Sequence, residues 1–481
     1  MLKILIKQTN WSILGALFGF LVGFLIKGFL VKSVGLSSYG LYIKGYVFIT
    51  FVSTIISFAF PQVILKFLPI NSISNKKDNI KLSSDILSYV IISGLLSSVL
   101  ILIFSSYISE IVFDNLSMNI ILQLSAIYLP LILLNSILSA LYRGVLKIKE
   151  IIIYGTFLSV TLRAFLTLII FNYTDKIHFF IAIEILVQFI VVIILWTKFS
   201  KDNFSIYFNF HFKRIFNNKK ILTFAKSVFV GSTITYFGSE LLTIIVSLFL
   251  PEKQVGAYSL MLTISSVSLF LLINLNKVFA PIISELYEKN NINQLNIIYK
   301  KVTYLINAFS IPFILLILFF IKHILAYFGD EMLEYMWLTI FMFLTLGASL
   351  PVGSSGVIMN MAGLEKQNMY IQIFKSVIII LIITAFIRSY HINAVVFTYV
   401  FVEYIKNYLQ VYLIYKKTKI HPFTIDLFFL YVISIPFIFY FIYSGFNWVY
   451  YDYFIIPLIL LFVYYIISFK KIKNLYLEVY E

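Results

Sequence analysis

Apolar segments of about 20 residues follow one another along this chain from Trp11 to Phe469, separated by short polar connections. An α-helix rising 1.5 Å per residue needs that length to cross the roughly 30 Å hydrocarbon layer of a bilayer. The pattern predicts fourteen helical spans, near 11–31, 41–65, 86–109, 119–142, 151–171, 179–197, 221–250, 256–284, 302–321, 335–359, 369–387, 393–415, 426–444 and 453–469. The first run, Trp11 to Val31, is too long for a signal-peptide core and has no small-residue cleavage site, so it is read as a retained span.

Local features of the first half recur roughly 216 to 221 residues later. Gly40-Leu41-Tyr42 opens span two and Gly256-Ala257-Tyr258 opens span eight. Phe58-Ala59-Phe60-Pro61 is matched by Val278-Phe279-Ala280-Pro281, and Leu129-Pro130 by Leu350-Pro351. Glu184 with Gln188 in span six is matched by Glu403 with Asn407 in span twelve. Six spans per half is an even number, so both halves insert in the same orientation, as parallel repeats do. The expected fold is an all-α polytopic membrane protein of about fourteen transmembrane helices. It comprises a first six-helix lobe (1–200), a cytoplasmic linker (201–220), a second six-helix lobe (221–420), and two extra helices with a tail (421–481). Proline inside a helix removes a backbone hydrogen bond, so matched kinks are expected at Pro61 and Pro281.

Composition agrees with a membrane chain: 61% of the 481 residues are hydrophobic and 12% charged, against about a quarter charged in soluble domains. There is no cysteine, which excludes disulfides, thiolate metal sites and cysteine nucleophiles. The five histidines have no metal-ligand spacing, and there is no GxxxxGK[ST] loop for nucleotide phosphates. No cofactor and no metal is expected, and the chain is read as a non-enzyme.

The net charge of +16 would suit nucleic acid if it were clustered, but its distribution argues against such a partner. With the first connection outside, the inner connections carry 25 of the 37 Lys and Arg, the outer ones 5 (Lys32, Lys176, Lys253, Lys322, Arg388), and the spans the other 7. This asymmetry places both termini in the cytoplasm.

The run Val34-Gly35-Leu36-Ser37-Ser38-Tyr39-Gly40-Leu41-Tyr42, then Lys66-Phe67-Leu68-Pro69, resembles the polysaccharide-biosynthesis flippases, the Wzx-like exporters of the multidrug/oligosaccharidyl-lipid/polysaccharide superfamily. Leu250-Pro251-Glu252-Lys253-Gln254-Val255-Gly256-Ala257-Tyr258 and Gly363-Leu364-Glu365-Lys366 resemble the second-half counterparts. The family often has Arg where this chain has Lys66. The resemblance covers the whole chain. It implies translocation of an undecaprenyl-linked oligosaccharide (for O-antigen, capsule or exopolysaccharide) across the bacterial inner membrane by alternating access through a cationic cavity. It further implies a monomer working among membrane lipids, beside polysaccharide polymerase machinery.

An ionisable residue at membrane depth costs roughly 2.5–3.5 kcal/mol on insertion scales. Lys27, Lys44, Arg163, Lys226, Lys277, Lys375 and Lys406 lie inside the spans, against Glu184, Glu240 and Glu403. This cationic excess suits a pyrophosphate or acidic sugar better than an organic cation. Lys44, Lys226 and Lys375 lie near span ends, where a lysine stem reaches the headgroups. Glu403 and Lys406, three apart, form a pair on one helix face. Lys27, Arg163 and Lys277 are the substrate-binding candidates, with Lys27 and Lys277 expected to face one cavity. Glu184, Glu240 and Glu403 are candidates for ion coupling, or are salt-bridge partners of the membrane cations. Two rival readings stay open: a multidrug or cation exporter of the same superfamily, and a membrane polysaccharide polymerase.

Overall fold

The computed structural model describes residues 2–74, 76–209, 214–347, 349–447 and 455–466. Those residues are helical almost throughout, and no strand occurs among them. In chain order the helices are α1 (Leu2–Val34), α2 (Leu36–Ser57), α3 (Phe60–Ser74), α4 (Lys76–Ile111), α5 (Met118–Gly144), α6 (Ile148–Glu150), α7 (Ser159–Ile170), α8 (His178–Asp202) and α9 (Arg214–Asn217). Then follow α10 (Lys219–Phe249), α11 (Glu252–Ser266), α12 (Phe270–Glu288), α13 (Ile292–Phe319), α14 (Ile321–Tyr327), α15 (Met336–Gly347), α16 (Ser355–Met361), α17 (Glu365–Thr418), α18 (Ile425–Tyr443) and a helix over Ile455–Ile466. Each of the fourteen expected spans falls on helix over most of its described residues. Among the described residues, ten helices are individually long and apolar enough to cross a membrane. The remaining expected spans correspond to α10, to α15 with α16, to the second limb of α17, and to Ile455–Ile466.

The chain divides into two units, Met1–Gly256 and Ala257–Glu481. In the first, α5 is the hub and packs against α2, α3, α4 and α8. Its Leu129, Leu133, Leu138 and Leu141 are buried. In the second unit, Phe279, Ile283, Leu295, Tyr299, Ile358, Met359, Ile371 and Ile414 form one core. The outward faces are as apolar as the inside: α4 exposes Leu96, Val99, Leu100, Ile103 and Phe104. Only a hydrocarbon solvent makes such a face acceptable on helices that satisfy their own backbone.

The helices break at places that differ from the matched prolines. Span two ends one helix at Ser57 and starts the next at Phe60, through Phe58 and Ala59 in left-handed conformation (φ 46° and 57°). Pro61 is the second residue of α3, in the first turn, where its missing N–H costs nothing. In span eight the break is a 3₁₀ turn over Val267–Leu269, and α12 runs helical through Pro281. Both spans are interrupted before their prolines, which corrects the expectation of a kink at Pro61; Pro281 lies inside α12. Spans eleven and twelve form one α17 folded at His391 (φ 47°, ψ −129°).

Candidate functional site

Ser159–Ile170 and His178–Asp202 are consecutive helices. Arg163 lies seven residues before the end of the first and Glu184 six after the start of the second. At 1.5 Å per residue both sit about 10 Å from the connection, at one depth. Arg163 Nη1 is 3.3 Å from Glu184 Oε1, and the Tyr42 hydroxyl of α2 donates to Glu184 Oε2 at 3.1 Å. On α1, Gly19, Gly23 and Lys27 repeat at four-residue spacing and so share a face. All three line a cavity of about 110 Å³ together with Tyr42, Arg163 and Glu184. A side chain at Gly23 would meet nothing within 4 Å, so the glycine leaves open room one turn before the lysine. Lys27 acts electrostatically on the same pair, repelled by Arg163 and attracted by Glu184. The cluster therefore holds two cations and one carboxylate. Arg163 Nε is buried without a hydrogen-bond partner among the described residues. The sequence assigned Arg163 a ligand as its counter-charge; the structure gives it Glu184, with donor capacity to spare.

Lys44 does not snorkel. It is 3% exposed, and its Nζ lies 2.8 Å from Glu252 Oε1, which also accepts from Asn115 Nδ2 at 3.0 Å. Beside this pair a Cβ on Gly40 would stand 1.8 Å from the Glu252 carbonyl oxygen, and one on Gly256 would stand 2.4 Å from that of Leu36. The two recurring glycines thus let the starts of α2 and α11 meet backbone to backbone.

In the second unit, Lys375 also departs from the snorkelling expectation. It is buried and its Nζ lies 2.6 Å from Glu403 Oε1, while Lys406 bonds Oε2. The polar face continues along the second limb of α17. Asn407 donates to Ser349 Oγ at 2.9 Å and Gln410 to Asn368 Oδ1 at 2.9 Å, and Gln410 accepts from Ser355 Oγ at 2.9 Å. Lys226 is exposed on α10. Glu240, on the same helix, acts electrostatically on Tyr46 and Tyr236. Lys277 lies on α12, but its side chain lies outside the described residues. Tyr42 is the site residue that sequence reasoning missed. Its signal was present, since it ends the Gly40-Leu41-Tyr42 element already singled out by the repeat.

These features define an all-helical, multi-pass membrane protein with a cationic cluster buried in its first unit. Residues 5–287, more than half of the chain, match a family described as polysaccharide biosynthesis protein, and the chain belongs to that family. Residues 228–387 match the MatE family. No curated protein sequence matches. Among solved structures, the chain is similar to "Lipid II flippase MurJ, inward closed conformation", with TM-score 0.72 and 14% identity over 97% of this chain and 99% of that one. It is also similar to an inward-facing multidrug resistance MATE family transporter of the MOP superfamily, with TM-score 0.67 and 14% identity over 82% and 93%. A third likeness is to a MOP superfamily transporter from Pyrococcus furiosus, with TM-score 0.60 and 12% identity over 87% and 96%. The fold is that of the MOP superfamily transporters.

Proposed function

We propose that this protein is a flippase that moves an undecaprenyl-pyrophosphate-linked oligosaccharide from the inner to the outer leaflet of the bacterial plasma membrane. Both termini face the cytoplasm, and two six-helix lobes, 1–200 and 221–420, give access to each side in turn. The observation that carries this reading is the Lys27–Arg163–Glu184 cluster, where two cations face one carboxylate beside an open cavity. Unbalanced positive charge at membrane depth is costly, and an anionic ligand offsets it. A guanidinium with unused donors suits a pyrophosphate. Membership of a polysaccharide-biosynthesis family supports a lipid-linked sugar as the cargo. The MatE match over residues 228–387 keeps a multidrug exporter as the rival, and the cationic excess weighs against it.

The test is inactivation of the protein in cells followed by analysis of lipid-linked sugars. Loss should trap them on the inner leaflet, and Arg163→Ala should do the same with normal protein levels in the membrane. Arg163→Lys should restore part of the activity, because it keeps the charge and loses the planar fork. Unpolymerised repeats trapped on the outer leaflet would identify a polymerase instead. Unchanged sugars with lost efflux of organic cations would identify a drug exporter.

A further inference from the structure

A second cavity of the first unit, about 510 Å³, lies among α2, α3, α5 and α10. Its volume is in the range of about 300–1,000 Å³ typical of small-ligand sites. Two polar stripes line it. On α5, Ser136, Ser139 and Arg143 are spaced by three and four residues and so share one helix face. On α2, Ser53, Thr54 and Ser57 form the other stripe, with Gln62 from the start of α3 and Tyr236 from α10 beside it. Among the described residues no carboxylate lines the cavity. The left-handed Phe58–Ala59 break turns the chain so that α2 contributes hydroxyls and α3 an amide to one site. Strain of this kind in non-glycine residues collects at functional positions.

The two stripes differ in what they offer a ligand. Ser53 and Thr54 donate to the Thr50 carbonyl at 2.9 and 2.8 Å, and Ser57 donates to that of Thr54 at 3.0 Å. Their hydrogens are engaged by their own helix, so they present lone pairs to the cavity. Ser136 and Ser139 make no side-chain hydrogen bond among the described residues, and Arg143 has no carboxylate partner among them. The α2 stripe therefore only accepts, whereas the α5 serines can donate as well as accept and Arg143 donates. A ligand satisfying both needs groups that donate and accept at once, and an anion at the Arg143 end. Sugar hydroxyls are such groups, whereas an organic cation would leave the α5 donors unpaired beside a like charge.

We infer that this cavity is the saccharide subsite of the transport pathway, with the sugar ring between the α2 and α5 hydroxyl stripes and its phosphate at Arg143, at a stage of transport distinct from the one in which the pyrophosphate meets Arg163. The inference rests on the flippase reading and adds the part of the cargo that this site reads. The test is equilibrium binding to the full chain in nanodiscs, with two probes: a short-chain polyprenyl pyrophosphate carrying a chitobiosyl disaccharide, and the same lipid without sugar. The glycosylated probe should bind about tenfold more tightly, the effect of one or two hydrogen bonds to neutral groups. The Ser136→Ala/Ser139→Ala double variant should erase that difference while leaving the affinity for the sugar-free probe unchanged. Arg143→Gln should weaken both probes about tenfold. Because the chain has no cysteine, Ser139→Cys gives a second readout: the glycosylated probe should slow its reaction with a soluble thiol reagent, and the sugar-free probe should not. Equal binding of both probes, or a sugar preference that survives in the double serine variant, overturns the subsite and leaves the flippase reading standing. Binding of neither probe, with tetraphenylphosphonium bound instead, overturns both.

Discussion

Glu184 and Glu403 occupy matched positions in the two halves of the chain, and the structure treats them differently. Each is buried in the helix that ends a six-span run, and each is held by cations. Glu403 has both oxygens taken by lysines, and the side chains of Lys375 and Glu403 are only 9% and 6% exposed. Glu184 shares its oxygens between Arg163 and the neutral Tyr42. Arg163 remains 30% exposed, keeps a buried Nε without a partner among the described residues, and borders the cavity that Lys27 lines. The second-half cluster is saturated and ties the two limbs of α17 together. The first-half cluster has donor capacity left for an anion. A matched acid therefore marks a place in the fold, and the cations around it decide whether that place holds structure or receives a ligand.

The sharpest way to break this comparison is to remove both acids in turn. Glu403→Ala deletes the carboxylate that two buried lysines share, and breaking a buried pair in this way costs about 3–5 kcal/mol. Glu184→Ala leaves an arginine with access to the cavity and should cost about 1–3 kcal/mol, with transport lost more completely than stability. Thermal unfolding in detergent, beside a flipping assay on the same preparations, separates the two. Equal stability losses would mean that the clusters do the same job.

How much of this was legible in the sequence depends on the range of the interaction. The spans, the repeat and the i,i+3 pair Glu403–Lys406 follow from local pattern. Lys44 was read as a headgroup-reaching lysine because it lies near a span end, but its partner Glu252 is 208 residues away. Lys375 meets Glu403 across 28 residues because α17 folds back at His391, a residue that hydropathy places in a connection without giving its geometry. The break at Phe58–Ala59 was hidden by Pro61, the residue that sequence reasoning blamed for it. Side-chain pattern gives the depth of a charge but not the neighbour that the tertiary fold brings to it.

A second comparison, of intermediate size, concerns the matched glycines. Gly40 would drive a Cβ against the backbone carbonyl of Glu252, whereas Gly45 would drive one against the movable Ile121 side chain at 2.4 Å. Gly40→Ala should destabilise by about 1–3 kcal/mol and lower transport, and Gly45→Ala should do less of both, since a side chain yields where backbone does not. Gly256→Ala, facing the Leu36 carbonyl at 2.4 Å, should resemble Gly40→Ala. If all three behaved alike in an unfolding series, the backbone crossing at α2 and α11 would not be the tight point.

The finest comparison, read as a coupling, sets Pro130 against its counterpart Pro351. Around Pro351 the helix is lost between α15 and α16, and side chains take the freed carbonyls: Asn307 donates to Leu350 O at 2.8 Å and Tyr299 to Val352 O at 2.6 Å. Gly353 supplies the positive φ of 55° that the turn requires. Around Pro130, α5 stays continuous. Proline has no N–H for the carbonyl four residues back, which is that of Ala126. Ser98 of α4 donates to this carbonyl at 2.6 Å, the shorter of its two contacts beside Gly94 O at 2.9 Å, so a hydroxyl from the neighbouring helix replaces the missing backbone donor. Ser98→Ala should therefore cost about 1–3 kcal/mol, the cost of a buried acceptor left unsatisfied. Pro130→Ala restores the N–H and makes the hydroxyl redundant. In the double variant the penalty of Ser98→Ala should shrink to a few tenths of a kcal/mol, a coupling that a double-mutant cycle on thermal unfolding resolves. Strictly additive effects would show that the hydroxyl is not standing in for the missing N–H, and that packing of α4 on α5 alone keeps the helix continuous through Pro130.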